Sequence, residues 1–242
     1  DKTAIVTGGA SGFGAGIARK FTAEGARVAI ADINAGAAAE LAKELNALAI
    51  TVDVAADASV KAMADQAMTA FGRIDILVNN AGIGHLPQPM EALCEDEFDR
   101  VFAVNAKSVF LTARHIVPLM KTAGGGAILN VASTGGVSPR PRLTWYNASK
   151  GWMITATRGM AVELAPFKIR VNAINPVAGE TPLLKTFMGE DTPEIRAKFL
   201  STIPLGRFST PEDMGNAACF LCSDEASMIT GVALEVDGGR CI

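Results

Sequence analysis

Short apolar runs rich in β-branched residues alternate along this chain with longer, alanine-rich stretches whose apolar positions recur every three to four residues. The short runs predict strands over Thr3–Thr7, Arg27–Asp32, Ala47–Val52, Ile74–Asn79, Ala127–Ala132, Ile169–Asn175 and Val232–Val236. The longer stretches predict helices over Ser11–Glu24, Ala35–Leu45, Ala58–Phe71, Tyr146–Ala165 and Pro211–Cys222. A Pro-containing loop, Gly82 to Met90, precedes helices reaching about Met120, and Thr181–Ser201 is helical but irregular because of Pro182 and Pro193. The strand runs (AIV, VAIA, ILV, AILNVA) are apolar throughout, as in strands covered on both faces. Alternation of strands and helices predicts an α/β protein with a doubly wound, parallel, seven-stranded sheet and helices on both faces. No linker, low-complexity stretch or short repeat interrupts residues 1–242, so one domain is expected.

Composition narrows the partners. Hydrophobic residues make up 49% and charged residues 19%, with a net charge of -3 and no block of one sign. That excludes a nucleic-acid footprint and a polybasic membrane patch. No apolar run reaches the length of about 18 residues that a membrane helix needs, and no signal-peptide pattern precedes the first strand. A cytoplasmic protein is expected. Cys94, Cys219, Cys222 and Cys241 have no disulfide-framework spacing. Cys219 and Cys222 lie in an apolar helix without a second pair or a nearby histidine, which reads as core packing, and no metal is expected.

The candidate chemistry begins where the first strand meets the first helix, at Thr7-Gly8-Gly9-Ala10-Ser11-Gly12-Phe13-Gly14. A strand, a glycine-rich turn and a helix N-terminus form a pyrophosphate site, because glycine lets the backbone approach the ligand and helix N–H groups face its charge. Asp32, followed by Ile33, closes the second strand 18 residues after Gly14, where a Rossmann-type fold sets a carboxylate on the adenosine ribose hydroxyls. A 2′-phosphate would meet like charge there, and no Lys or Arg lies between Gly8 and Gly16 to offset it. NAD rather than NADP is the expected cofactor.

The glycine turn, Asn79-Asn80-Ala81-Gly82 after the fourth strand, Tyr146-x-x-x-Lys150, Pro176…Thr181 and Val236-Asp237-Gly238-Gly239 occur in one order along the chain. Together they resemble the short-chain dehydrogenases/reductases, over essentially the whole length. The resemblance implies a strand order of 3-2-1-4-5-6-7. It implies that Gly8, Ser11, Gly12, Phe13, Gly14, Asp32 and Ile33 bind the dinucleotide, that Asp53 and Val54 border the adenine, and that Asn80, Ala81 and Gly82 lie along the cofactor while Asn79 braces the central strands. It implies that Tyr146, Pro176, Gly179 and Thr181 also contact the cofactor, Thr181 at the nicotinamide carboxamide. Where the family commonly has Pro-Gly, this chain has Pro176-Val177-Ala178-Gly179, so the glycine sits later.

Tyr146 is the chain's only tyrosine, and Lys150 shares its helix face at i+4. Hydride transfer to a carbonyl needs a group that gives the oxygen a proton, and the reverse reaction needs one that takes it. A free phenol, with pKa about 10, is a poor base. Lowering it by about three units takes roughly 4 kcal/mol, about what one ammonium supplies at ~4 Å and an effective dielectric of ~20, and the positive nicotinamide of NAD would add to it. The resemblance adds Ser133, 13 residues before Tyr146, as the hydroxyl that holds the substrate oxygen. It adds Asn105 as the residue that holds a proton-relay water, and Lys150 as a ribose ligand. His85 and His115 are the only histidines, and neither gives Ser133 a nucleophile's partner.

Substrate selection is expected from a movable segment at about 177–202, with His85, Ser133, Ser138, Arg140, Arg142, Leu143, Trp145 and Leu183 as candidate lining. Arg140 and Arg142 read first as solvated loop charges, with pairing to an acidic substrate as the alternative. Trp152, Met153, Ile154, Met160, Val162 and Leu164 make one helix apolar on much of its surface, and the family resemblance implies a homotetramer covering it. The expected reaction is hydride transfer between NAD(H) and a secondary alcohol or carbonyl. A 3-oxoacyl-[acyl-carrier-protein] reductase shares every motif, but that group generally prefers NADPH, which Asp32 opposes. Sugar (glucose-type), diol and hydroxysteroid dehydrogenases stay open. A non-catalytic NAD-sensing protein would have no use for Ser133, Tyr146 and Lys150 together.

Overall fold

Apolar runs this short and this continuous bury both faces by pairing side by side. The computed structural model, which describes residues 2–242, contains strands β1 (Thr3–Thr7), β2 (Arg27–Asp32), β3 (Leu48–Thr51), β4 (Ile76–Asn79), β5 (Gly126–Val131), β6 (Ile169–Pro176) and β7 (Ala233–Val236). All pair in parallel in the order β3-β2-β1-β4-β5-β6-β7, which is the expected one. The helices are α1 (Gly12–Ala23), α2 (Ala35–Leu45), α3 (Asp57–Phe71), α4 (Glu95–Phe102), α5 (Ser108–Ala123), α6 (Thr144–Leu164), α7 (Pro182–Met188), α8 (Pro193–Leu200) and α9 (Pro211–Cys222).

The period of two divides each strand between two cores. Ala4, Val6, Val28, Ile30 and Val78 pack against Ile17 and Phe21 of α1, Leu41 of α2, and Met214 and Leu221 of α9. Ile5, Ala29, Leu77 and Ile128 pack on the opposite face with Met63 of α3, Leu111 and Ile116 of α5, and Leu164 of α6. Cys222 is buried in the first core with Cys219 packed against it, so both serve packing as expected, and burial pushes the Cys222 thiol up to about 12. No helix among the described residues is long and apolar enough to cross a membrane.

The strand and helix limits shift by one to two residues from the pattern. The fourth strand opens at Ile76 instead of Ile74 because the Asp75 carboxylate takes the Thr3 amide at 2.8 Å and the Arg73 guanidinium at 2.7 Å. The helix carrying Tyr146 begins earlier, at Thr144. The irregular stretch after Thr181 resolves into α7 and α8, each with proline in its first turn.

Two features have no signature in the pattern. Between α4 and α5 lies one π-helical turn, Ala103–Lys107. The other is the crossing of α1 and α9. A methyl group on Gly16 would come within 2.1 Å of the Pro211 carbonyl oxygen, and one on Gly215 within 2.8 Å of the Gly16 carbonyl oxygen. Glycine at both positions is what lets the first and last long helices of this face touch backbone to backbone.

Candidate active site

Strand order reverses between β1 and β4, and there the loops at the strands' C-terminal ends diverge into a crevice. A cleft of about 540 Å³ occupies it. At one end is the glycine turn. Gly8 and Gly12 have φ of +59° and +52°, which side chains resist. A methyl group on Gly14 would lie 2.1 Å from the Gly8 carbonyl oxygen. The turn is fastened from beside it: the Asn80 amide donates to the carbonyls of Thr7 (2.8 Å) and Gly8 (3.0 Å), and the Thr7 hydroxyl accepts from the Asn80 and Ala81 backbone N–H groups. The Asn80 amide nitrogen therefore holds the loop.

Asp32 borders the cleft at the end of β2. Its carboxylate accepts from the Ala10 N–H (3.0 Å) and the Asn34 N–H (2.9 Å), tying the turn to the next strand. Ile33, Asp53 and Val54 border the same end, and the Asp53 carboxylate is steadied by the Ala55 N–H at 2.9 Å. Lys150 and Arg140 are the cations among the described cleft-lining residues, and neither pairs with Asp32. A positive-φ turn that a Cβ would fill, beside a carboxylate free of cationic partners, fits a dinucleotide with unmodified ribose hydroxyls.

Ser133, Tyr146 and Lys150 line the cleft, set there by the end of β5 and the first turns of α6. The Ser133 hydroxyl oxygen accepts from the Gly135 N–H at 3.0 Å, which leaves its proton free to donate. Tyr146 is buried, and burial pushes its phenol up to about 12 although Ser133 beside it pulls the other way. Burial therefore opposes the lowering that oxidation requires, and the positive charges that supply that lowering must outweigh desolvation. Lys150 does share the tyrosine's helix face, but its ammonium donates to the Val131 carbonyl at 2.8 Å, and burial lowers it to about 8. It points toward the turn after β4, where a methyl group on Gly82 would lie 3.3 Å from Nζ.

Asn105 sits in the π-helical turn, fully buried. Its side-chain carbonyl accepts from the Ile83 N–H, and its amide donates to the Ile83 carbonyl and the Ser149 hydroxyl, all within 3.0 Å. Its side chain thus clamps the loop following β4 to α6. Asn79 braces the centre of the sheet as expected. Its amide donates to Asn130 at 2.9 Å, the Thr112 hydroxyl donates back to it at 2.8 Å, and Asn130 donates to Thr157 at 2.8 Å, a buried polar chain joining β4 and β5 to α5 and α6.

Over the tyrosine lies a residue that no motif flagged. Phe187 of α7 has its ring centroid 4.7 Å from that of Tyr146, and a methyl group on Gly84 would collide with it at 2.5 Å. Pro176, Gly179 and Thr181 border the cleft just before α7. The late glycine has its own purpose, since a methyl group on Gly179 would lie 2.3 Å from the Phe13 ring.

The candidate substrate residues divide. Ser133, Arg140, Leu143 and Leu183 line the cleft. His85 is buried away from it with Nδ1 2.9 Å from the Leu86 carbonyl. Arg142, at φ +67°, donates to the Pro87 carbonyl, and Trp145 donates to the Met90 carbonyl while stacking edge-on with Phe98. Ser138 accepts from Arg240 at 3.2 Å. These four support the loops around the cleft. On α6, Met153, Ile154 and Leu164 are buried within the chain, whereas Trp152 and Val162 are exposed.

Known proteins share this arrangement. Residues 8–240 match the family model described as enoyl-(acyl carrier protein) reductase. The chain is 52% identical to 4-formylbenzenesulfonate dehydrogenase of Comamonas testosteroni, over 100% of this chain and 98% of that one. A crystal structure of 3-ketoacyl-(acyl-carrier-protein) reductase from Brucella melitensis complexed with NADH superposes with a TM-score of 0.95 at 51% identity, covering 100% of this chain and 98% of that one. The structure of 7α-hydroxysteroid dehydrogenase complexed with NADH and 7-oxo glycochenodeoxycholic acid superposes with a TM-score of 0.93 at 39% identity, covering 98% and 93%. With its parallel sheet, glycine turn and Ser-Tyr-Lys cleft, the chain belongs to the short-chain dehydrogenases/reductases.

Proposed function

We propose that Ser133, Tyr146 and Lys150 perform the proton chemistry of this NAD(H)-dependent oxidoreductase, which interconverts secondary alcohols and carbonyls. The observation that carries the reading is that these three side chains share one cleft with the glycine turn and Asp32. When bound, the dinucleotide supplies the hydride donor or acceptor and, in its oxidised form, a second positive charge near the phenol.

In reduction, Ser133 donates to the substrate oxygen and holds it against Tyr146, which gives up its phenolic proton as the oxygen gains charge. With a pKa of about 12, Tyr146 keeps that proton available at neutral pH. Oxidation asks for the phenolate. Bringing about 12 down to about 7 takes roughly 7 kcal/mol, and the ~4 kcal/mol from one ammonium at ~4 Å falls short of it, so both positive charges are needed. Lys150, at about 8, stays mostly protonated at pH 7 and supplies the first. Asn105 acts as a clamp that fixes the loop after β4 and the lysine's helix, and its Oδ1, which accepts one bond, keeps a second acceptor site for a relay water. Asp32 selects NADH over NADPH by charge and by its ribose-facing position. Residues 177–202 act as a substrate lid, with Phe187 as its contact on the tyrosine.

The exposed Trp152 and Val162 on α6 support assembly with other copies, as a homotetramer. Light scattering at micromolar concentration tests this, and a monomer rejects it. Acyl-thioester reduction remains a second reading because of the 51%-identical reductase.

The test is NADH and NADPH oxidation with ketones, ketoacids, sugars, acyl thioesters and 4-formylbenzenesulfonate, the last because of the 52%-identical relative. Tyr146→Phe should bind NADH normally and lose roughly 10²- to 10⁴-fold in kcat. Near-wild-type turnover by that variant rejects the assignment.

A further inference from the structure

One arginine beside the proposed reaction centre, and a second close to it, have no anion to face. Arg140 lines the cleft together with Tyr146 and Ser133. Its guanidinium stacks over the Phe199 ring of α8 at 4.4 Å and donates to the Thr202 hydroxyl at 2.9 Å, both neutral partners on the lid. Behind it lies Arg240, close enough that its charge, after burial, lowers the Arg140 pKa. Arg240 donates to Ser138 at 3.2 Å, and its buried Nε has no partner. Among the described residues, no carboxylate comes within 4 Å of either guanidinium. The nearby Asp237 spends both its oxygens on the Gly239 and Cys241 N–H groups.

A half-buried guanidinium next to a second one is unfavourable by itself, from both desolvation and like-charge repulsion. Elsewhere on this surface the chain pairs its arginines readily: Arg19 with Glu44, Arg196 with Asp191, Arg207 with Asp213. An unneutralised cation lining the cleft where substrate must enter, with a second cation close to it, suits recognition of an anion. Flat and forked, a guanidinium fits carboxylate, sulfonate or phosphate oxygens with paired hydrogen bonds. Stacking on Phe199 fixes its plane, and because Phe199 and Thr202 belong to the lid, an anion bound there also meets the element that covers the cleft.

We propose that Arg140, reinforced by Arg240, selects carbonyl or alcohol substrates that carry an anionic group at the end remote from the reacting carbon. This deepens the catalytic reading above and rests on it. Arg140 is a specificity residue, and the reacting carbon is left to Ser133 and Tyr146.

The experiment pairs an anionic substrate with an uncharged one of the same shape: 4-formylbenzoate and 4-formylbenzamide, each reduced with NADH by wild type, Arg140→Gln, Arg140→Lys and Arg240→Gln. Benzenesulfonate and benzoate are also titrated into the wild-type NADH complex, following NADH fluorescence. Wild type should prefer the carboxylate in kcat/KM. Arg140→Gln should reduce that preference roughly 10- to 100-fold, the loss of a charge-assisted hydrogen bond. Arg240→Gln should reduce it less, and Arg140→Lys should restore part of it. Equal losses on both substrates would mean that Arg140 only supports the lid, and would overturn the proposal. So would failure of both anions to bind the wild-type NADH complex. Retained turnover by Tyr146→Phe would instead strike the catalytic reading, leaving anion titration of Arg140→Gln to decide this one.

Discussion

Replacing Lys150 with methionine should abolish turnover and leave the folded protein at pH 7 no less stable, or slightly more so. The ammonium is buried, and burial lowers its pKa from the ordinary 10.5 to about 8. That difference corresponds to about 3 kcal/mol by which the charged form disfavours folding. Methionine removes this penalty with little change of shape, but it strips the Val131 carbonyl of its 2.8 Å donor, which costs about 1–3 kcal/mol. The net effect is a gain of about 1 kcal/mol, or ~2–4 °C in Tm for a chain of this size. The pH dependence is a cleaner signal. The folded-state pKa lies below the unfolded one, so between about 8 and 10.5 the unfolded chain binds more protons and stability rises with pH; below 8 both states are protonated and the full penalty stands. From pH 7 to 9.5 wild type should gain about 2 kcal/mol more than Lys150→Met. Thermal unfolding of both proteins at the two pH values gives the comparison. Parallel pH curves, or a variant several degrees less stable at pH 7, would show that the ammonium is not penalised by its surroundings.

Two further changes probe the scaffold of the cofactor end. Asp32→Ala removes the carboxylate that fastens the Ala10 and Asn34 N–H groups; kcat/KM with NADH should fall at least about tenfold and the gap to NADPH should narrow, and a wild type that already prefers NADPH would contradict the reading. Gly16→Ala sets a methyl group 2.1 Å from the Pro211 carbonyl, so α9 must move off α1 and unfolding should come about 1–3 kcal/mol earlier, measured by denaturant titration; an unchanged midpoint would mean that the crossing tolerates separation.

Much of this protein was legible in its sequence because the signals were local. A strand run into a glycine turn, a carboxylate at the end of β2, and Tyr146 one turn ahead of Lys150 each span a few residues, and the parallel order followed from the family's motifs. What escaped depends on residues far apart in the chain. Phe187 meets Tyr146 across 41 positions, and nothing around it distinguishes it from any apolar residue of a lid helix. Arg140 and Arg142 looked equivalent in sequence; only the fold turns one into the cleft and the other onto the Pro87 carbonyl. Ser138 and Trp145 lie near the cleft in sequence, whereas their side chains bond to Arg240 and the Met90 carbonyl, and His85 is buried beside the Leu86 carbonyl. The burial of the Tyr146 phenol, which opposes the attraction of the lysine, also depends on distant residues and had no local signal.

The glycine crossing of α1 and α9 also bears on how the chain emerges from the ribosome. Gly16 and Gly215 are 199 positions apart, and at ~5–20 residues per second the second follows the first by about 10–40 s. Throughout that interval Ile17 and Phe21, which end up buried against Met214 and Leu221, lack their final cover. A nascent chain of this fold therefore carries a sticky helix face for most of its synthesis, and the closing of its first-made core must wait for nearly its last-made helix.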